Sequence, residues 1–568
     1  MKKLSYLFLF LAGLVFIVVS CSDDDDGPDM NPTPPTLTVT PGSTGALPGE
    51  TVTFNVSAQP GTGATAVAVT ANGQAVSGGS YSYEVPANAT VGSTITINFV
   101  ATDDNSPPLS TTFDATISVG KPVVDITDPA VTDAILGGNT VYNLDASVEY
   151  LFDGLVYVEE GSVLNIPAGT VIKFKKQPTS TDPTSSLIIT RGAQIFAEGT
   201  STDPIILTAE DDDLAGALGP GENQQWAGLI LLGRAPAFND GATEIQIEGI
   251  DSGEPRGLYG GNDPADDSGV LTYVSIRYTG FALNGVAGDE IQGLTLGGIG
   301  NGTTIDYIDI FSSADDGIEI FGGTVNISHV SVAFSTDDDY DFDLGWRGYG
   351  QFLFAIMGDQ TIGFDHSGEW DGADPDDADL FSAPNIYNAT FIGPGTTATG
   401  RDLAVLMREN FAGKLGNSIL EDYPGVGIEV QDLGDGSGDL PNDSYERLTT
   451  ARDDYQVEIS NNTWANFAGA TDLASLVKAS AGDGGYVGQT ADVVAELTDN
   501  ANKYSATGVL GGISRTPNGG LDPRPVTEDT DVATVPAGLE QVTYRGAFSS
   551  TENWLEGWST LSVLGYMP

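Results

Sequence analysis

Thr304-Ile305-Asp306-Tyr307-Ile308-Asp309-Ile310 returns as Asn326-Ile327-Ser328-His329-Val330-Ser331-Val332, an offset of 22 residues (327 − 305), and the match runs on without a gap. Asp315 and Asp316 fall on Asp337 and Asp338, Ile318 on Tyr340, Glu319 on Asp341 and Ile320 on Phe342. Leu271, Val274 and Ile276 carry the same apolar spacing 34 residues (305 − 271) ahead of Ile305, Ile308 and Ile310, as an earlier coil with a longer loop would. A repeat of about 20 to 30 residues with one strand register is a solenoid length. Each coil lays a short strand over the one before, so apolar side chains stack inward and turns take Gly, Asn or Asp. Further rungs are expected in residues 386–391, 403–407 and 457–464.

Upstream, Val156-Tyr157-Val158-Glu159-Glu160-Gly161-Ser162-Val163-Leu164-Asn165-Ile166 resembles the first rungs of right-handed parallel β-helix proteins. Asp315-Asp316-Gly317-Ile318-Glu319-Ile320-Phe321-Gly322-Gly323, Trp226-Ala227-Gly228-Leu229-Ile230, Leu521-Asp522-Pro523-Arg524-Pro525 and Tyr544-Arg545-Gly546-Ala547-Phe548 resemble a family of bacterial secreted or lipid-anchored β-helix proteins. The resemblance spans residues 140–568 and implies an all-β fold, a right-handed parallel β-helix. A solenoid must shield its last coil, and residues 544–568 are expected to cap that open end.

Residues 36–120 have a different texture. Runs such as Thr51-Val52-Thr53-Phe54-Asn55-Val56 and Thr94-Ile95-Thr96-Ile97-Asn98-Phe99-Val100 alternate apolar and polar residues between turn signals, which predicts a small antiparallel β-sandwich. Val100 to Asn105, Pro107, Pro108 and Thr111 to Val119 resemble the last hairpin of immunoglobulin-like (Ig-like) or cadherin-like surface modules, most of which are spacers.

The chain starts with Lys2 and Lys3, an apolar run over residues 4–19, and Val18-Val19-Ser20-Cys21, which resembles a lipobox. Residues 1–20 are thus expected to be a lipoprotein signal peptide, with Cys21 the acylated residue. The apolar run falls short of the about 20 residues that span a bilayer. Asp23 to Asp26 resemble the acidic export signal of Bacteroidota-type surface lipoproteins, and residues 21–35 form an acidic, Pro-rich tether. The expected address is the outer membrane, lipid-anchored and exposed at the cell surface. Cys21 is the only cysteine, so no disulfide, thiolate metal site or cysteine nucleophile is available once it carries lipid.

The 568 residues carry 79 acidic against 21 basic side chains, a net charge of -58 spread along the whole length. Such a surface repels nucleic acid and anionic lipid and leaves cations, cationic ligands and neutral sugars as partners.

Two acidic clusters carry the candidate chemistry. Asp337, Asp338, Asp339, Asp341 and Asp343 lie one coil from Asp315, Asp316 and Glu319, and stacking would crowd these carboxylates together. A hard cation relieves such repulsion, and calcium takes six to eight oxygens; solvated turns are the other reading. With Tyr340, Phe342 and Leu344 facing the core, Asp341 and Asp343 should both face outward. The stretch from His366 to Asp379, rich in Gly, Pro and Asp, reads as a loop leaving the solenoid, in which His366, Glu369 and Asp371 could coordinate a metal and Trp370 could stack on a sugar or bury itself under the loop. Trp346 and Tyr349 complete the aromatic candidates: exposed in a groove they would favour binding, packed away they would favour a structural role.

Enzymes of the same fold suggest a polysaccharide lyase or glycoside hydrolase, yet Arg347, Arg401, Arg408 and Lys414 show no lyase spacing. Asp315-Asp316 superficially resembles the paired aspartates of polygalacturonase-like enzymes, without their Gly-His-Gly and Arg-Ile-Lys companions. The reading reached from sequence is a surface lipoprotein acting as a binding module for a glycan, another nutrient or a partner protein, calcium-stabilised and accessory to an outer-membrane receptor. A structural or adhesive spacer is the alternative, and catalysis ranks behind both.

Overall fold

The computed structural model describes residues 32–90, 93–120, 123–125, 130–132, 135–282, 291–376, 378–400, 403–432, 443–449, 455–480 and 490–568. Cys21, the leader, most of the tether and Arg401 lie outside them. The chain divides into two units, Met1–Lys121 and Pro122–Pro568. No helix among the described residues is long and apolar enough to cross a membrane.

The first unit is built from two sheets. Thr36–Thr40, Thr51–Gln59 and Ser80–Glu84 form an antiparallel three-stranded sheet. Ser43–Ala46, Ser110–Val119, Thr94–Asp103, Val67–Ala71 and Gln74–Ala75 form a second, in which Ser43–Ala46 runs parallel to Ser110–Val119. The alternation predicts which residues meet between them: Val39, Phe54 and Val56 from one sheet pack on Ile97, Phe99, Ala115 and Ile117 from the other. Phe54 and Phe99 lie 5.5 Å apart, edge to face.

The second unit is a parallel β-helix. Its coils contribute to an 11-stranded sheet and a 20-stranded sheet among the described residues. The sequence repeat is the strand register itself, with Ile318 opposite Tyr340, Glu319 opposite Asp341 and Ile320 opposite Phe342. Leu271, Val274 and Ile276 pair with Ile305, Ile308 and Ile310, which pair in turn with Ile327, Val330 and Val332. These side chains are buried in one continuous core. Each fully buried Ile, Val or Leu contributes about 1.5 to 3 kcal/mol, repeated coil after coil.

Turns between faces are set at fixed positions. Tyr273, Tyr307, His329 and Phe352 adopt left-handed φ of 50°, 54°, 47° and 56°, bending the chain at one place in successive coils. Asn388, Asn417 and Asn461 continue the row at 55°, 53° and 56°. Asparagine tolerates this conformation. The rings offset its strain by stacking, Tyr273 on Tyr307 at 4.3 Å, Tyr307 on His329 at 4.3 Å and His329 on Phe352 at 4.8 Å. Gly317 is demanded by packing instead, since a Cβ there would lie 2.3 Å from Val332 Cγ1 and 2.7 Å from Asp339 O.

The C-terminal residues do not close the end of the solenoid, as expected of 544–568. Helix Thr490–Asp499 meets the last coils, with Val493 and Leu497 inserted into the solenoid core. Phe548, Leu555, Leu561 and Tyr566 instead cover outward residues of the large sheet, Phe311, Phe334, Phe354 and Ile419 among them. Thr560 fixes this strap, its N–H and hydroxyl donating to buried Asp309 Oδ2 at 2.9 and 2.6 Å. The outward face of that sheet is apolar over several coils, so lateral cover removes more surface from water than capping one end would.

Candidate functional site

Parallel pairing in register converts acidic residues of successive coils into a ladder. On the outward side of the 11-stranded sheet the row reads Thr295, Glu319, Asp341, Glu369, Leu406, Glu429 and Lys478. Neighbouring strands lie about 4.8 Å apart, so Glu319, Asp341 and Glu369 are stacked like charges. At the strand starts, Asp316 Oδ1 accepts the Asp338 N–H at 2.9 Å and Asp338 Oδ1 accepts the His366 N–H at 2.6 Å. Each carboxylate thereby holds the next coil in place.

The two acidic clusters of the sequence are one site. Ligand-capable atoms of Asp316, Glu319 and Asp341 lie within 4.8 Å of one another, as do those of Asp338, His366 and Glu369, and of Asp315, Asp316 and Asp337. His366 is buried, its Nδ1 2.9 Å from Asp338 and 3.3 Å from Glu369. Gly368–Asp371 is a strand of the sheet, not part of a departing loop, because Phe342 pairs with Trp370 and fixes the coil. Asp339 stands apart, buried and accepting from Ser335 and Ser367 at 2.6 and 3.0 Å.

The aromatic candidates are corrected. Trp346 and Trp370 are buried in the solenoid core beside Phe342, so neither offers a face to a sugar. Inward alternation puts Trp370 there, since Glu369 and Asp371 take the outward positions. Tyr349 is half-buried. Asp341 and Asp343 are the half-buried outward pair that alternation predicts, whereas Leu344 has turned out of the row at φ 52° into an outer apolar cluster.

Arg408 is the residue that sequence reasoning failed to place. Its guanidinium grips Asp371 through two hydrogen bonds of 2.7 and 2.8 Å and reaches Glu369 at 2.5 Å. The signal was present: extending the rung at 403–407 by one alternation puts Arg408 over Asp371. Glu248, to which Gln292 donates, approaches Glu319 from a neighbouring loop.

Two cationic groups do not balance so many acids. Burial, then neighbouring carboxylates, push Asp316, Glu319 and Asp341 well above the usual carboxylate range, and burial does the same to Asp338 and Asp343. Burial raises Asp371 to about 6 against the pull of Arg408, and Glu409 to about 7. Glu369 goes the other way, to about 2, because His366 and Arg408 outweigh its desolvation. His366 is raised to about 10 by Asp338 and Glu369 despite its burial. Asp341 Oδ1 is buried with no hydrogen bond among the described residues, and Glu319, only 7% exposed, stands opposite it. Asp316, Glu319 and Asp341 are the residues whose spacing could hold a hard cation.

Residues 138–494 match the pectate-lyase-like beta-helix domain. The chain belongs to that family. Its membership accounts for the solenoid that this pectate-lyase-like β-helix protein forms over those coils. No curated protein matches the chain. Among solved structures it is similar to the catalytic unit of a thermostable GH87 alpha-1,3-glucanase from Streptomyces thermodiastaticus strain HF3-3, at 12% identity and a TM-score of 0.24, over 81% of this chain and 85% of that one.

Proposed function

We propose that this chain is a lipid-anchored surface protein that works by binding, with a divalent cation, calcium first, held in the acidic ladder of its β-helix. The observation that carries the cation is Asp341 Oδ1: a buried carboxylate oxygen with no hydrogen bond among the described residues, with Asp316 and Glu319 beside it. An anion in that position must be protonated or neutralised by a ligand. Calorimetric titration of calcium into chelator-stripped protein, from Gly27 onward, tests it. Saturable uptake supports the reading, and no heat of binding contradicts it.

The anchor rests on Lys2, Lys3, the apolar run, Cys21 and the aspartates after it, and the address proposed is the outer membrane. Failure of Cys21→Ser to take up labelled fatty acid, where the wild type does, tests it. Residues 36–120 are read as an Ig-like spacer, a reading supported by the two facing sheets with a shared core. The bound partner is a glycan, nutrient or protein, beside an outer-membrane receptor. Burial of Trp346 and Trp370 removes two sugar platforms and favours a spacer or adhesive role over glycan capture at those positions.

A polysaccharide-cleaving reading has one observation of its own besides family membership. Glu369 at about 2 next to Asp371 at about 6 supplies an ionised and a protonatable carboxyl. Against it, Asp316, Glu319, Asp338 and Asp371 are each under a tenth exposed, which admits an ion but not a polymer. Release of reducing ends from a polysaccharide panel, abolished by Asp371→Asn, would favour cleavage.

A further inference from the structure

Along the outward row, the acidic run of the ladder ends where a tethered cation begins. Glu319, Asp341 and Glu369 are followed by Leu406, and Arg408, two residues on, lies over Asp371 in the same parallel register. Alternation puts Leu406 and Arg408 on the same side of the sheet. Three carboxylates clasp the one guanidinium: Asp371 at 2.7 and 2.8 Å, Glu369 at 2.5 Å and Glu409 at 3.7 Å. Three acids thus converge on a single planar group, and that group is positive. A later coil repeats the device, for Lys478 stands opposite Glu429 and reaches it at 2.6 Å.

Asp316, Glu319 and Asp341 have no basic side chain paired with them among the described residues, and buried Asp341 Oδ1 accepts no hydrogen bond there. The ladder therefore has two stations, one filled by Arg408 and one beyond its reach. The Arg408 side chain is 37% exposed, against 13% for Glu369 and 7% for Asp371. Both acids face the guanidinium rather than water, while its outer edge opens their position to solvent. Carboxylates arranged to hold a guanidinium offer a hard cation the same oxygens once the guanidinium is gone.

We infer that Arg408 occupies a second divalent-cation station, formed by Glu369, Asp371 and Glu409, and keeps the protein one ion short of what its ladder can hold. The inference rests on the cation reading of Asp316, Glu319 and Asp341, and adds to it the residue that sets the number of ions. Mutual repulsion among three carboxylates calls for a positive occupant. An occupant attached to the chain gives up less translational freedom than a free ion does, so calcium does not displace it.

Calorimetric titration of calcium into chelator-stripped wild type and Arg408→Met counts the ions, at about pH 8 because a metal takes only deprotonated carboxylates. Arg408→Met should bind one calcium more than the wild type. Arg408→Lys, which keeps a tethered charge, should match the wild type, and Arg408→Met with Asp371→Asn should lose the extra ion again. Arg408→Gln serves where Arg408→Met does not fold, and should also gain one. Equal uptake by the wild type and the neutral variants, or an extra ion in Arg408→Lys, overturns the inference and leaves the wild-type cation standing. Uptake by the neutral variants with none in the wild type would remove the cation reading and keep the Arg408 station. No uptake by any of them overturns both.

Discussion

Glu319 and Asp341 stand directly opposite each other on adjacent parallel strands, two carboxylates facing outward from one rung to the next. Their elevated pKa values fix the sign of a pH effect. Unfolded, such acids ionise near 4; folded, they hold their protons to higher pH, as do Asp371 to about 6 and Asp339 to about 7. The folded state therefore binds more protons between pH 4 and 7, and stability falls as pH rises through that window. His366, raised to about 10, adds stability below about 6.5 that is lost toward 10, reinforcing the decline. Glu369, lowered to about 2, opposes it only below pH 4.5. Calorimetric melting in chelator should show a midpoint that drops from pH 5 to pH 8, and calcium should flatten the drop.

Arg408 is the half-exposed counterion of buried Asp371, and removing it leaves Asp371 without its cation and Glu369 with His366 alone. Arg408→Met should destabilise the fold by about 1 to 3 kcal/mol, less than a fully buried pair because the guanidinium is partly exposed to water. Adding Asp371→Asn should restore much of that loss. Urea unfolding of the single and double variants measures both.

The strap is tied down at Asp309, which accepts from Thr560 and from Ser275 at 2.8 Å. Thr560→Val keeps the shape but removes the hydroxyl donor, and should cost about 1 to 3 kcal/mol. Limited proteolysis should then release the C-terminal segment sooner than in the wild type, while cutting within the coils is unchanged.

The fold was legible because side-chain periodicity and strand register are the same fact in a solenoid: aligning Ile305 with Ile327 in sequence aligned them in space. The ladder was legible for that reason too, down to Glu319 over Asp341. Two things were hidden. Composition made 366–371 look like a loop, although the strand needs only Trp370 pointing in and Glu369 out, a pattern too short to stand above its glycines and aspartates. The path of the C-terminal strap depends on contacts such as Thr560 with Asp309, 251 residues apart, which no local pattern encodes.

The most direct test of the cation reading is the melting midpoint of wild type and of Asp338→Asn with Asp341→Asn, each in chelator and in millimolar calcium. A ligand that binds only the folded state must raise the midpoint. The account predicts that calcium raises the wild type and that the variant, whatever its midpoint in chelator after His366 loses Asp338, loses this rise. Equal calcium shifts in both proteins, or no shift in either, would contradict it.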